Sequence, residues 1–170
     1  MLAFFNQLIT QNKADKKTLL IGVSYALIDL VEKGAIKLQN TIVMETGGMK
    51  GKRKEMIREE LHQILKDGFG LDKIHSEYGM TELLSQAYSK GDGIFESPDW
   101  MRVVARSTDD PLSVLGDNIS GGLNIIDLAN INSCAFIATQ DLGKTLGNNQ
   151  FEVLGRFDHS DVSGCNLLVQ

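Results

Sequence analysis

Thr18-Leu19-Leu20-Ile21-Gly22-Val23 is a continuous apolar run, as expected of a strand buried on both faces. It opens an alternation that limits the fold. A helix should follow, with Leu27, Leu30 and Val31 turned inward and Gly34 as its stop. Thr41-Ile42-Val43-Met44-Glu45 reads as a second strand, ending in the turn Thr46-Gly47-Gly48. Residues 53–66 read as the clearest helix, with Ile57, Leu61, Ile64 and Leu65 on one face and Gly68 ending it. Lys73-Ile74-His75-Ser76 would be a third strand. This βαβαβ rhythm implies an α/β fold with a parallel sheet and crossover helices.

The pattern changes after residue 93. Short β-like runs at 101–106, 123–128, 135–139 and 151–156 are separated by Asp109-Asp110-Pro111, Ser120-Gly121-Gly122 and Gly147-Asn148-Asn149. This half reads as a small antiparallel sheet or partial barrel. The division expected is an α/β nucleotide-binding half at 1–90 and a β-rich subdomain at 91–170, with the seam at Ser89-Lys90-Gly91-Asp92-Gly93. The apolar N-terminus, interrupted by Asn6 and Gln7, reads as an amphipathic helix rather than a signal peptide. No run approaches a membrane span.

A net charge of −5 argues against nucleic acid as a partner. The two cysteines, Cys134 and Cys165, form no CxxC, and the three histidines have no zinc spacing. Reduced thiols in a cytoplasmic protein are expected.

Several segments carry candidate chemistry. In His75-Ser76-Glu77-Tyr78-Gly79-Met80-Thr81-Glu82, Tyr78 offers a plane for a base, Thr81 a donor for phosphate and Glu82 an oxygen for Mg²⁺. The segment follows a short apolar run and precedes a helical-looking one, so it also suits a strand-turn-helix junction capped by Thr81. Glu45-Thr46-Gly47-Gly48 leads into Lys50, Lys52 and Arg53. The glycines let a planar ligand approach the backbone, and the basic residues at a helix start favour an anion; a tight turn into a solvated helix is the alternative. It is not a Walker A loop, because Gly47 stands only three residues before Gly51 and Arg53 takes the hydroxyl position. Thr139-Gln140-Asp141-Leu142-Gly143 closes a strand with a carboxylate suited to ribose hydroxyls, or with a turn-forming Asp. In the last segment Arg156 can contact ribose or phosphate, and His159 is either a local base or simply an exposed residue. Cys165 there is either an acyl-accepting thiol or a small apolar residue.

Together these residues resemble the adenylate-forming superfamily, and within it the acyl-protein synthetase family, which includes the synthetase component of bacterial fatty acid reductase. Tyr78-Gly79-Met80-Thr81-Glu82 resembles a YGxTE motif, and Thr46-Gly47-Gly48 the Gly-Gly loop that flanks adenine. Thr139-Gln140-Asp141 resembles a TGD motif with Gln140 for its glycine, and Gly155-Arg156-Phe157-Asp158 a GRxD hinge. The resemblance implies ATP and Mg²⁺ as cofactors and a fatty acid or acyl-adenylate as ligand. It also implies roles: Tyr78 against adenine beside Thr46, Gly47, Gly48 and Gly79, and Thr81 on the α-phosphate. Glu82 would hold Mg²⁺, Asp141 would bind the ribose hydroxyls, Arg156 would contact ribose or phosphate, Asp158 would mark the hinge, and Cys165 would accept the acyl group.

The chain departs from the family in two ways. Residues 1–40 hold nothing like the superfamily's Ser/Thr/Gly-rich phosphate loop, and no lid lysine follows. The chain corresponds to the C-terminal half of a family member, so an N-terminal half is an expected partner. Acyl-reductase or acyltransferase subunits and a second copy of the chain are the other partners expected. A non-catalytic AMP- or acyl-binding or docking module is the alternative function.

Overall fold

The structure is a computed structural model that describes residues 2–49, 51–54 and 56–157. Two compact units divide the chain: Met1–Met80 with Gln86–Phe95, and Thr81–Ser85 with Glu96–Gln170. The backbone therefore passes between units three times.

In the first unit the elements follow the expected alternation. They are α1 (Leu2–Gln11), β1 (Thr18–Val23), α2 (Ser24–Val31), β2 (Thr41–Thr46), α3 (Arg58–Phe69) and β3 (His75–Tyr78). The strands β1, β2 and β3 are parallel neighbours. A fourth strand, β4 (Ala87–Ser89), pairs antiparallel with β3, and β5 (Ile94–Glu96) lies next in order. The core is built from Leu20 on β1 and Val43 on β2, Ile74 just before β3, Leu27 and Leu30 on α2, and Leu61, Leu65 and Phe69 on α3. The helical period of the sequence thus places these side chains on one face of each helix.

Three local expectations change. First, β1 is not buried on both faces: Leu20 points into the core, but Leu19 and Ile21 are 58% and 51% exposed, and Ile42 beside Leu19 is 47% exposed. An apolar run therefore marks a sheet face without stating what covers it. Second, α3 starts at Arg58 rather than Arg53; Arg53 instead ion-pairs with Asp29 on α2 and with Glu32, the residue that caps its end. Gly68 does not stop this helix, which runs to Phe69 and is capped by Gly70 in the left-handed conformation. Gly68 instead lets α2 approach, since a Cβ there would lie 2.5 Å from the Val31 side chain. Third, the stretch after Thr81 forms a turn leading into β4 and no helix. Pairing of Tyr78 with Ala87 and Ser76 with Ser89 overrides the local helical pattern.

The second unit carries β6 (Met101–Arg106), β7 (Gly121–Asp127), β8 (Phe136–Gly147) and β9 (Gln150–Arg156). They are antiparallel in the order β9-β8-β7-β6. Alternate residues face inward: Met101, Val103 and Ala105 on β6, and Leu123, Ile125 and Asp127 on β7. The turn at Gly147, Asn148 and Asn149 has positive φ at all three residues, as its composition suggests. Asp141 does not close a strand. β8 continues past it because Gly143 sits at an irregularity where a Cβ would lie 2.2 Å from the Glu152 carbonyl oxygen. The expected architecture, a parallel βαβαβ half followed by a small antiparallel β subdomain, is the one observed.

Candidate functional site

The Gly-Gly turn leaves β2 at Thr46, whose hydroxyl donates to Glu77 Oε1 on β3 at 3.0 Å. Gly47 and Gly48 are exposed. Beneath them lies a chain of buried polar groups. The Ser24 hydroxyl sits between the Gly47 carbonyl at 2.5 Å and Glu45 Oε2 at 3.0 Å. The other Glu45 oxygen is 3.6 Å from His62 Nε2, which is 3.2 Å from Ser76 Oγ. Burial of this many polar atoms is tolerable only because each finds a partner. The chain ties the turn to α2, α3 and β3. Both Glu45 and Ser76 approach the same nitrogen of His62, so the group is not a nucleophile–base–carboxylate relay. Ser24, His62 and Ser76 were not singled out from the sequence; the available signal was the inward register of Ser76 on β3.

Tyr78, a buried residue, ends β3 with its ring tilted against Phe95 at 5.9 Å between centroids. Gly79 follows, exposed. The motif then crosses into the second unit at Thr81. Thr81 and Glu82 both expose their side chains, while the backbone behind them is held. Leu84 and Ser85 donate their N–H groups to Asp127 Oδ2 at 3.0 and 2.9 Å. The Ser85 hydroxyl donates to Asp127 Oδ1 at 2.7 Å and accepts from Trp100 Nε1 at 2.9 Å. Asn130 Nδ2 donates to the Glu82 carbonyl at 2.7 Å. Neither Asp127 nor Asn130 was singled out from the sequence. The signal existed: Asp127 falls in register with Leu123 and Ile125 on the inward face of its strand.

Burial alone would raise the Asp127 carboxyl, but hydrogen bonds from Ser85, Leu84 and Ala129 outweigh it and hold the group below the usual carboxylate value. The unfolded chain protonates this carboxyl near about 3.9. Its contribution to stability is therefore complete above that pH and is lost as pH falls below it toward the folded value. Denaturant titrations across the acid range are expected to show the stability gap between the protein and Asp127→Asn narrowing as pH drops below about 4. A gap constant down to the folded value would remove the ionised carboxylate from the account.

Asp141 and Arg156 are brought together. They are directly paired on β8 and β9, with Arg156 Nε 3.4 Å from Asp141 Oδ1. Arg156 Nη2 also reaches Gln140 Oε1 at 3.4 Å, so the residue replacing the motif's glycine joins the pair. Asp158 and Cys165 lie outside the described residues, as does His159.

No cluster of three or more potential metal ligands occurs among the described residues. The Glu82 side chain is exposed on an anchored main chain, and a carboxylate oxygen is a donor of the kind Mg²⁺ takes. No helix among the described residues is long and apolar enough to cross a membrane.

No protein-family model and no curated protein matches the chain. Solved structures do. ATP-bound MatB from Rhodopseudomonas palustris superposes with a TM-score of 0.65 at 15% identity, over 91% of this chain and 32% of that one. The coronafacic acid ligase from Pectobacterium brasiliense gives 0.64 at 18% identity, over 91% and 32%. O-succinylbenzoate coenzyme A synthetase (MenE) from Bacillus subtilis, in complex with ATP and magnesium ion, gives 0.58 at 19%, over 82% and 31%. The chain thus has part of the fold of adenylate-forming ligases, and spans about a third of their length.

Proposed function

We propose that this chain is the nucleotide-handling part of an acyl-protein synthetase-like ligase. It activates a fatty acid with ATP as acyl-adenylate and passes the acyl group to a cysteine thiol, once an N-terminal half completes the fold. The observation that carries the reading is the likeness to ATP-bound ligases over 91% of the chain. The order of its motifs adds to it.

In this scheme a fatty acid carboxylate attacks the α-phosphorus of ATP and the bond to pyrophosphate breaks. Thr81 donates a hydrogen bond to an α-phosphate oxygen, and Asp141 accepts from the ribose hydroxyls while Arg156 holds its carboxylate in place. Tyr78 and the Gly47-Gly48 backbone border the adenine, Gly79 leaves room beside it, and Asp158 marks the hinge. Mg²⁺, when bound through Glu82, supplies charge neutralisation on the phosphoryl oxygens. The Cys165 thiolate then attacks the acyl carbon, and AMP leaves with the electron pair of the mixed anhydride bond.

Acyl-dependent ATP–pyrophosphate exchange tests the reading, with the chain alone, with its upstream-encoded neighbour, and over a panel of fatty acids. Exchange is expected only when the N-terminal half is supplied. Exchange by the chain alone refutes that dependence, and none in any mixture refutes adenylate formation.

A docking module is the second reading, favoured by the apolar face of β1 and β2 and by the position of β1 at the edge of its sheet. A stable dimer without nucleotide affinity would support it.

A further inference from the structure

We propose that Asp127 is a positioning residue for Glu82, setting the magnesium-dependent part of nucleotide binding through the backbone of the loop. The inference rests on the reading of Glu82 as the magnesium-binding carboxylate, but concerns a residue that reading does not use.

The argument starts from what a loop requires. The segment after Met80 lies in neither helix nor strand until β4, so its N–H and C=O groups need partners outside a ladder. Asp127 supplies them. Its carboxylate is fully buried and accepts four hydrogen bonds, from the Leu84 and Ser85 N–H groups, the Ser85 hydroxyl and the Ala129 N–H. A buried carboxylate is tolerated only when its lone pairs are filled in this way.

The bond from Ala129 does a second thing. It caps the 3-10 turn Leu128–Asn130, whose last residue then donates to the Glu82 carbonyl at 2.7 Å and to the Cys134 carbonyl at 2.9 Å. One carboxylate therefore holds the loop at two places, directly at 84 and 85 and through Asn130 at 82. The Thr81 and Glu82 side chains are left exposed on a fixed main chain. A group that fixes the bearing of a metal ligand without touching the metal alters metal affinity by about 10–100-fold when removed.

Calorimetric binding of ATP to the full chain, together with its completing half if exchange requires one, tests the inference. Each titration is run with Mg²⁺ and with EDTA. Asp127→Asn keeps the shape but turns one acceptor into a donor facing N–H groups. It is expected to lose affinity for ATP with Mg²⁺ by about 10-fold or more while ATP in EDTA binds within about twofold of normal. In a Glu82→Ala background it is expected to add nothing, because it acts through Glu82. Asn130→Ala leaves the Asp127 carboxylate intact and removes only the Glu82 tether. It should show the same magnesium-selective loss, and it carries the test if Asp127→Asn fails to fold. Equal losses with and without Mg²⁺ would make the role purely structural and overturn the inference. So would magnesium-selective loss in Glu82→Ala with none in Asn130→Ala. Absence of ATP binding by the unaltered protein would instead overturn the nucleotide reading itself.

Discussion

Glu82→Ala is expected to reduce acyl-dependent ATP–pyrophosphate exchange by about 100-fold or more, the usual loss when one preorganised group acting on transition-state charge is removed. The size of the effect follows from how little else is available. Among the described residues no group of three or more carboxylates, histidines or cysteines is placed to hold a metal ion. The Glu82 side chain is exposed while its own carbonyl is bonded to Asn130 and the backbone two residues on is bonded to Asp127. Removing the carboxylate therefore deletes the ligand proposed for Mg²⁺ without disturbing the loop, and the fold should be unchanged by circular dichroism. Exchange within about threefold of the unaltered protein would show that the YGxTE resemblance marks ancestry and not chemistry.

Phe69→Ala should have the largest effect on stability, about 3–5 kcal/mol, because the ring is fully buried and little can collapse around it. Phe69 is the last residue of α3, and the carbonyls of Gly68 and Phe69 accept from Ile36 and Leu38 on the incoming segment. A void here sits where helix, sheet and connecting chain meet. Its neighbour fails for the opposite reason. Gly68→Ala places a methyl 2.5 Å from the branched Val31 side chain, and such overpacking costs about 1–3 kcal/mol. Urea midpoints of the two variants order these effects. A Gly68→Ala protein as stable as the parent would mean that α2 can shift away from α3 without penalty.

These two neighbours also show what can be read from residues alone. The inward faces of α2 and α3 were legible in part: Leu27, Leu30, Leu61 and Leu65 recur at helical spacing and are buried, but Ile57, read on the same face, precedes α3 and is 52% exposed. The strands of the second unit were legible for a similar reason. Gly68 was misread because a glycine required for close packing looks the same as one required for a helix end. Leu19 and Ile21 were misread because an apolar strand reports affinity for a covering layer, not its presence. Tertiary pairing decided the stretch after Thr81, where β4 forms against β3. Within the site, Asp141 and Arg156 could be named as candidates, but their direct cross-strand pairing depends on the β8–β9 register. Asp127 was overlooked because an acid ending an apolar run looks like a turn residue until register and burial are known together.

The threefold crossing between units has a consequence for dissecting the molecule. A single cut cannot release either unit whole. Cleavage after Met80 sends β4 and β5 away with the second unit and strips β3 of its antiparallel partner, whereas cleavage after Phe95 leaves Thr81–Ser85 with the first unit and takes three of its four donors from Asp127. The two units are interleaved along the polypeptide, so they can be inherited, expressed or exchanged only together.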